Sequence, residues 1–262
     1  MPPRIDIHVH TNISACADRS MTLDAIVRES ESLRHVVVGI ADHVNHPDHV
    51  ARNAALRRDI ERRRTGVAIY FGAEDNYLPE FGGHSISRQL KARFGYQYVI
   101  GSHHNLYLPP GCSDLETLVR TQHSHHLETC RNPAMDVLGH PFRYLKGTLE
   151  KCGRPPTAME EAMPDERVRE LGRTARETGT AIEINAESFL VHRAPDDPLL
   201  FGYLRLIDIL AAEGVDFAIG SDAHRPFELA FAAPAWDLVD RMGISPHRIW
   251  RPEGTPASLG LA

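Results

Sequence analysis

A chain of 262 residues, 42% of them hydrophobic, has the apolar material for one large core, and single-domain α/β barrels run to this length. Its net charge of −6 provides no overall basic field, so binding that rests on general neutralisation of nucleic-acid phosphates has no global support. No long apolar run or N-terminal leader pattern occurs, and Cys16, Cys112, Cys130 and Cys152 show no Cys-x-x-Cys spacing; the expectation is a cytoplasmic protein with no membrane span and no disulfide framework.

The segment Ile5–Thr11 alternates apolar and polar residues, the period-2 signature of a strand with two different faces. Asp6, His8 and His10 fall on one face, and two imidazoles spaced in this way can reach one metal ion. A helical pattern follows from Leu23 to about Leu33, with Thr22 as its N-cap. Val36–Ala41 reads as a buried parallel strand ending in Asp42-His43, and a helix with an Arg-rich outer face covers roughly Val50–Arg64.

The alternation then repeats. Strands are predicted at Val67–Ala73, ending in Glu74; at Tyr98–Gly101, ending in Ser102-His103-His104; and at Met135–Leu138, ending in His140. Two more lie at Thr180–Ile184, ending in Asn185-Ala186-Glu187, and at Asp216–Gly220, ending in Asp222-Ala223-His224. Helices are predicted near Ser85–Phe94, Ser113–Arg131, Asp165–Glu177, Pro198–Glu213 and Pro234–Met242. This succession of strand–helix units argues for a parallel sheet with helices outside it, without an internal linker, so residues 1–262 read as one domain.

Every predicted strand ends in a polar or ionisable group. In a closed parallel barrel all those ends open on one face, where active sites are built. Taken singly, His43 or His140 reads as a hydrogen-bonded surface histidine, Glu74 as a solvated strand end and Asp222 as a helix N-cap. Histidine at five of seven strand ends reads instead as a shared metal site.

The ordered segments Ile-Asp-Ile-His-Val-His-Thr, Ile-Ala-Asp-His, Gly-Ala-Glu, Ile-Gly-Ser-His-His, Leu-Gly-His-Pro, Ile-Glu-Ile-Asn and Gly-Ser-Asp-Ala-His resemble the motifs of the PHP (polymerase and histidinol phosphatase) family, from about Arg4 to His224. Asn185–Phe189 looks most like the compact stand-alone phosphatases of that family. The resemblance implies a distorted (β/α)7 TIM-like barrel and a site for two to three divalent transition metals, zinc, manganese or iron. By position it implies that His8, His10 and Asp222 bind the first ion and that Glu74 bridges it to a second held by His104 and His140. His104 is favoured over His103, because the ligand is the last residue of the matching motif. His43 and His224 would hold a third ion. There the family carries a further histidine in the loop after the first strand, where this chain has Cys16, with Asp18 close by.

The implied reaction is hydrolysis of a small phosphomonoester. Metals sharing a bridging carboxylate hold a hydroxide for in-line attack on phosphorus, and Asp222 is placed to orient that nucleophile or receive its proton. Asp6 and Asp42 are expected to fix the imidazoles from behind. Arg143, Arg193 and Arg225 are the candidate phosphate forks, and His192 is one candidate leaving-group acid. Other readings are an amidohydrolase-type C–N hydrolase, a nuclease acting on oligonucleotide ends, and a non-enzymatic regulatory domain. The first usually needs a carboxylated lysine at a strand end, and Lys91, Lys146 and Lys151 do not sit at one. The expected partner is a small phosphorylated substrate, with no stable nucleic-acid partner.

Overall fold

Seven strands alternate with helices along the chain, as the hydrophobic pattern predicts. The computed structural model describes residues 4–105, 111–143, 145–191 and 193–255. The first units are β1 (Arg4–Val9), α1 (Leu23–Ser32), β2 (His35–Val44), α2 (His49–Arg52), α3 (Ala54–Glu61) and β3 (Ala68–Asn76). There follow α4 (Arg88–Phe94), β4 (Tyr98–Ser102), α5 (Leu115–Arg131), β5 (Val137–Leu138), α6 (Leu145–Lys151), α7 (Met159–Ala162) and α8 (Asp165–Thr178). The chain closes with β6 (Ala181–Asn185), α9 (Ala186–Phe189), α10 (Pro198–Ala212), β7 (Phe217–Gly220) and α11 (Ala232–Arg241).

The strands pair in parallel in sequence order, β1 to β7. The sheet rolls up until its two edges meet at the C-terminal ends of the strands. There Val9 bridges Ala223, His10 N donates to Ala223 O at 3.1 Å, and Asp222 N donates to His8 O at 2.9 Å. Asp6 adds a side-chain tie across the seam, its Oδ1 accepting from Ser221 N at 3.0 Å. The result is a nearly closed seven-stranded (β/α)7 barrel, the expected fold class.

The barrel floor is plugged by one aromatic side chain. Tyr98 is fully buried, and its hydroxyl donates to Ile7 O at 2.6 Å. An added Cβ would come within 2.3 Å of its hydroxyl at Gly39 and within 2.3 Å of its ring at Gly72. Glycine at these positions of β2 and β3 leaves the room that a large side chain from β4 fills.

Local sequence explains most boundaries. Thr22 caps α1, its hydroxyl accepting from Ala25 N at 3.2 Å, and Asp114 caps α5 by accepting from Thr117 N at 2.8 Å. Pro198 opens α10 behind Asp197, whose carboxylate accepts from Leu199 N at 2.8 Å. The helix predicted over Val50–Arg64 is divided into α2 and α3 at Asn53. The buried side chain of Asn53 turns inward and donates to the carbonyls of Asp42 and His43 at 3.2 and 3.4 Å. Strands β2 and β3 also run past their predicted ends. Asp42, His43 and Val44 pair in register with Ala73, Glu74 and Asp75, so the polar residues at these ends belong to the ladder itself.

Helix α5 carries its histidines partly inward. His126 is 1% exposed, and burial, with His123 and His125 alongside, pushes its pKa from the ordinary 6.5 down to about 3. A histidine kept neutral in the fold contributes stability above its unfolded pKa and loses it as pH falls through that value, because the unfolded chain takes up the proton first. Buried Asp6 and Asp75, both raised to about 7 chiefly by desolvation, act in the opposite sense. A difference measurement isolates the histidine. The gap in unfolding free energy between metal-free wild type and His126→Gln is expected to shift by about 2 kcal/mol toward the variant from pH 6.5 to 5. Urea titrations at the two pH values check this, and a gap that does not change with pH refutes it.

Candidate metal centre

β1 delivers His8 and the residue just beyond its end, His10, into the barrel mouth, where both are fully buried. β2 contributes His43 and β3 contributes Glu74, which is also fully buried. His104, His140, Asp222 and His224 follow the ends of β4, β5 and β7. His140 and Asp222 have φ of +25° and +59°, a backbone region that non-glycine residues rarely adopt. Strain of this kind persists only where the surroundings fix it, and it gathers at functional sites.

Glu74 is the centre of this arrangement, because its two oxygens face different imidazoles. Oε2 lies 2.7 Å from His43 Nδ1, 3.5 Å from His8 Nε2 and 3.6 Å from His10 Nε2. Oε1 lies 2.8 Å from His140 Nε2 and 3.1 Å from His104 Nε2. Asp222 Oδ1 is 3.1 Å from His10 Nε2, 3.6 Å from His8 Nε2 and 3.8 Å from His224 Nδ1.

The charges are strongly coupled. Burial alone would raise Glu74, yet His104, His43 and His8 hold its carboxyl well below the usual range. Burial would lower His43, but Glu74 and Cys16 lift it to about 10. His8 is likewise raised well above its ordinary value against the cost of burial, by Glu183, Asp222 and Glu74. His10 is pushed well down by burial and by the neighbouring His43. The negative charge that favours protons on His8 and His43 would equally favour divalent cations.

The donor set tests that idea. His8 Nε2, His43 Nδ1 and Glu74 Oε2, the atoms these residues turn toward one another, are buried without a well-formed hydrogen bond among the described residues. Leaving such atoms bare costs on the order of 1–3 kcal/mol each, unless something else accepts their lone pairs. Three groups bring one ligand atom each within 4.8 Å of one another: His8, His10 and Glu74; His43, Glu74 and His104; and His10, His43 and His224. Imidazole with carboxylate suits zinc, manganese or iron. The residues fit a divalent-metal site.

The other sequence candidates fall as follows. His104 faces Glu74, whereas His103 turns away, its Nε2 2.9 Å from Thr129 Oγ1 on α5. Cys16 stands beside His224 and His43. Burial opposes ionisation of its thiol, but hydrogen bonds with those two imidazoles bring it down to about 6. Cys16 lines a cavity of about 310 Å³ together with Asp18, Arg143, Glu187, Asp222 and Arg225. Arg143 Nη1 is 3.2 Å from Asp222 Oδ2, and Arg225 is exposed at the mouth beside Glu228. Arg193 is not among the lining residues; it pairs with Asp197 at 3.2 Å and donates to Ser188 O at 3.0 Å. His192 lies outside the described residues.

Two expectations need correction. Asp6 and Asp42 do not touch the imidazoles. Asp6 Oδ1 accepts from the amides of His8 and Ser221, at 3.2 and 3.0 Å. Asp42 accepts from Thr11 N, Thr11 Oγ1 and Ser14 Oγ at 2.6–2.8 Å, holding the loop that carries Cys16. The residue that does grip an imidazole is Glu183 on β6, with Oε1 2.6 Å from His8 Nδ1. Sequence reading missed it, although the alternation Ile182-Glu183-Ile184 marked a charge on the face opposite two isoleucines.

Comparison with known proteins agrees with this picture. The PHP domain matches residues 6–187, well over half of the chain. A probable phosphatase of Thermoanaerobacter sp. is 27% identical over 250 residues, covering 92% of this chain and 87% of its own. A probable phosphatase of Syntrophotalea carbinolica is 26% identical over 252 residues, with coverage of 94% and 90%. A crystal structure of the "putative histidinol phosphatase hisK" from Listeria monocytogenes aligns with a TM-score of 0.61, covering 86% of this chain and 97% of that one; at 13% identity the likeness concerns the fold. By class, then, this is a phosphatase-type hydrolase barrel. More particularly, the chain belongs to the PHP domain family.

Proposed function

We propose that the chain is a metal-dependent phosphatase that hydrolyses a small phosphomonoester in a trinuclear site. The observation that carries the reading is the division of Glu74, whose two oxygens serve separate sets of imidazoles. In this reading His8, His10 and Asp222 would hold one ion, His104 and His140 would hold a second, and Glu74 would be shared between them. His43, His224 and Cys16 would hold a third. Bound zinc, manganese or iron supplies Lewis-acid neutralisation of phosphoryl oxygens and a hydroxide nucleophile near neutral pH.

The chain's own residues set the rest. Asp222, kept ionised against burial by His8 and His10, is available to accept a hydrogen bond at its carboxylate and so orient the nucleophile. Arg143, anchored on Asp222, presents a planar fork beside the cavity that matches a phosphoryl group, with Arg225 at the rim. Arg193, already paired within its own loop, is the weakest of the three arginine candidates. The lining also carries Asp18, Glu187 and Glu228, which disfavours a polyanionic strand and favours a small substrate. C–N hydrolases of this type usually bridge their metals with a carboxylated lysine, although a glutamate can substitute; here Lys91 lies on α4 and is engaged with Asp136 just before β5, which disfavours that reading. No helix among the described residues is long and apolar enough to cross a membrane, and the four free cysteines accord with a reducing cytoplasm.

The test is phosphate release from phosphomonoesters, phosphodiesters and nucleotides by protein loaded separately with zinc, manganese or iron. Metal-dependent release from a monoester, lost in His8→Ala, is expected. No release despite full loading would overturn the reading. A second expectation concerns Cys16. Cobalt(II) bound in place of the native ions should show a near-ultraviolet sulfur-to-metal charge-transfer band that Cys16→Ser removes. A cobalt spectrum identical in the two proteins would take Cys16 out of the ligand set.

A further inference from the structure

Glu183 is a fully buried carboxylate outside the substrate cavity, and both of its oxygens are committed. Oε1 lies 2.6 Å from His8 Nδ1, and Oε2 accepts from His140 N at 2.6 Å. Burying a charge is costly unless it is paired and hydrogen-bonded, so a carboxylate placed here needs both contacts. We propose that Glu183 is a positioning residue that couples the two ends of the metal cluster, setting the ring of His8 and the backbone of His140 together. The proposal rests on the reading of His8 and His140 as ligands.

On the His8 side the consequence is chemical. A neutral imidazole has one N–H and one lone pair, and the partner of one nitrogen decides which it presents at the other. With Nδ1–H donated to Glu183, the lone pair sits on Nε2. That is the atom facing Glu74 Oε2 and Asp222 Oδ1, at 3.5 and 3.6 Å.

On the His140 side the consequence is conformational. His140 holds φ +25°, and its amide hydrogen bond to Glu183 is a charge-assisted restraint on that turn. From this backbone the His140 ring reaches Glu74 Oε1 at 2.8 Å. One carboxylate on β6 therefore governs a ring from β1 and a turn after β5, which face opposite oxygens of Glu74.

The neighbouring strands leave a slot for it. A Cβ on Gly220 of β7 would stand 2.0 Å from Glu183 Oε1 and 2.7 Å from the His8 Cβ. A Cβ on Gly139, just after β5, would meet Ser102 Oγ at 2.3 Å and reach Glu183 Oε2 at 3.6 Å. Gly220 is therefore the glycine that keeps the space Glu183 occupies, whereas glycine at 139 spares Ser102 Oγ and Ile100 Cγ2, at 2.3 and 2.6 Å, and leaves Glu183 in ordinary contact.

The test compares wild type, Glu183→Gln and Glu183→Ala by chelator-competition titration with zinc and by ¹⁵N-edited NMR of the histidine rings, with thermal unfolding as the check on folding. In wild type the metal-free protein should show a strongly deshielded, exchange-protected His8 Nδ1–H, and the zinc-loaded protein should coordinate through Nε2. Glu183→Gln should fold, lose that proton signal and bind its zinc about 10- to 100-fold more weakly. Glu183→Ala should weaken the ions on both sides of Glu74, because it also releases His140. Wild-type affinity in Glu183→Gln, or a wild-type His8 that carries no proton on Nδ1, would overturn the proposal, and the second observation needs no variant. Absence of zinc binding by wild type would instead sink the ligand reading, leaving the Nδ1–H signal to decide the Glu183 contact separately.

Discussion

Glu74→Gln is expected to lower phosphate release by on the order of 10³-fold or more, roughly 4 kcal/mol of barrier, and to reduce bound metal by more than one ion per chain. The side chain is fully buried and has five imidazoles around it, three at Oε2 and two at Oε1. Glutamine keeps the shape but replaces one oxygen with an NH₂ group. Whichever way that amide turns, a hydrogen-bond donor meets one of the two imidazole sets, and the charge serving both sets is gone. Loss at a ligand serving one ion would cost a single metal and leave the other affinities near wild type. Loss at a bridging ligand costs two. Elemental analysis beside steady-state kinetics separates these cases, and full metal content with near wild-type turnover would refute the bridging role.

How far the sequence could be read depended on the kind of signal. Strand–helix alternation revealed the barrel because inward and outward faces differ in polarity, and His8, Glu74 and Asp222 stand at strand ends where a parallel barrel gathers side chains. Choosing His104 over His103 needed the family motif, since period alone cannot say which of two adjacent histidines faces inward when the strand is ending. In the structure they diverge, one toward Glu74 and the other toward Thr129.

Other features were illegible for physical reasons. Asn53 breaks a helix because its side chain reaches carbonyls of β2, a long-range contact absent from any local pattern. Helices α6 and α7 lie in the long connection after β5, where composition gave no clear period. The roles of Asp6 and Asp42 were misread because proximity to histidine in sequence suggested contact with the rings. Both carboxylates instead serve backbone and hydroxyl donors, and the ring of His8 is held by Glu183, 175 positions away.

Gly220→Ala should damage folding and metal binding together. Gly220 does not have the positive φ that would itself demand glycine, so the effect is one of space. The new methyl group would lie 2.0 Å from Glu183 Oε1 and 2.7 Å from the His8 Cβ, a buried site with no flexible surface to give way. Overpacking of this kind costs about 1–3 kcal/mol or more, and in a domain of this size each kcal/mol is worth about 2–4 °C of Tm. Gly66→Ala is the matched control, because its Cβ would meet only Glu31 Oε1 at 3.6 Å and should leave Tm and zinc affinity almost unchanged. The decisive variant is the double, Gly220→Ala with Glu183→Ala. Removing the Glu183 side chain deletes the atoms that the methyl strikes first, so its destabilisation should fall short of the sum of the singles by on the order of 1 kcal/mol or more. Strict additivity would place the clash elsewhere, and the slot between β6 and β7 would then not be what glycine at this position preserves.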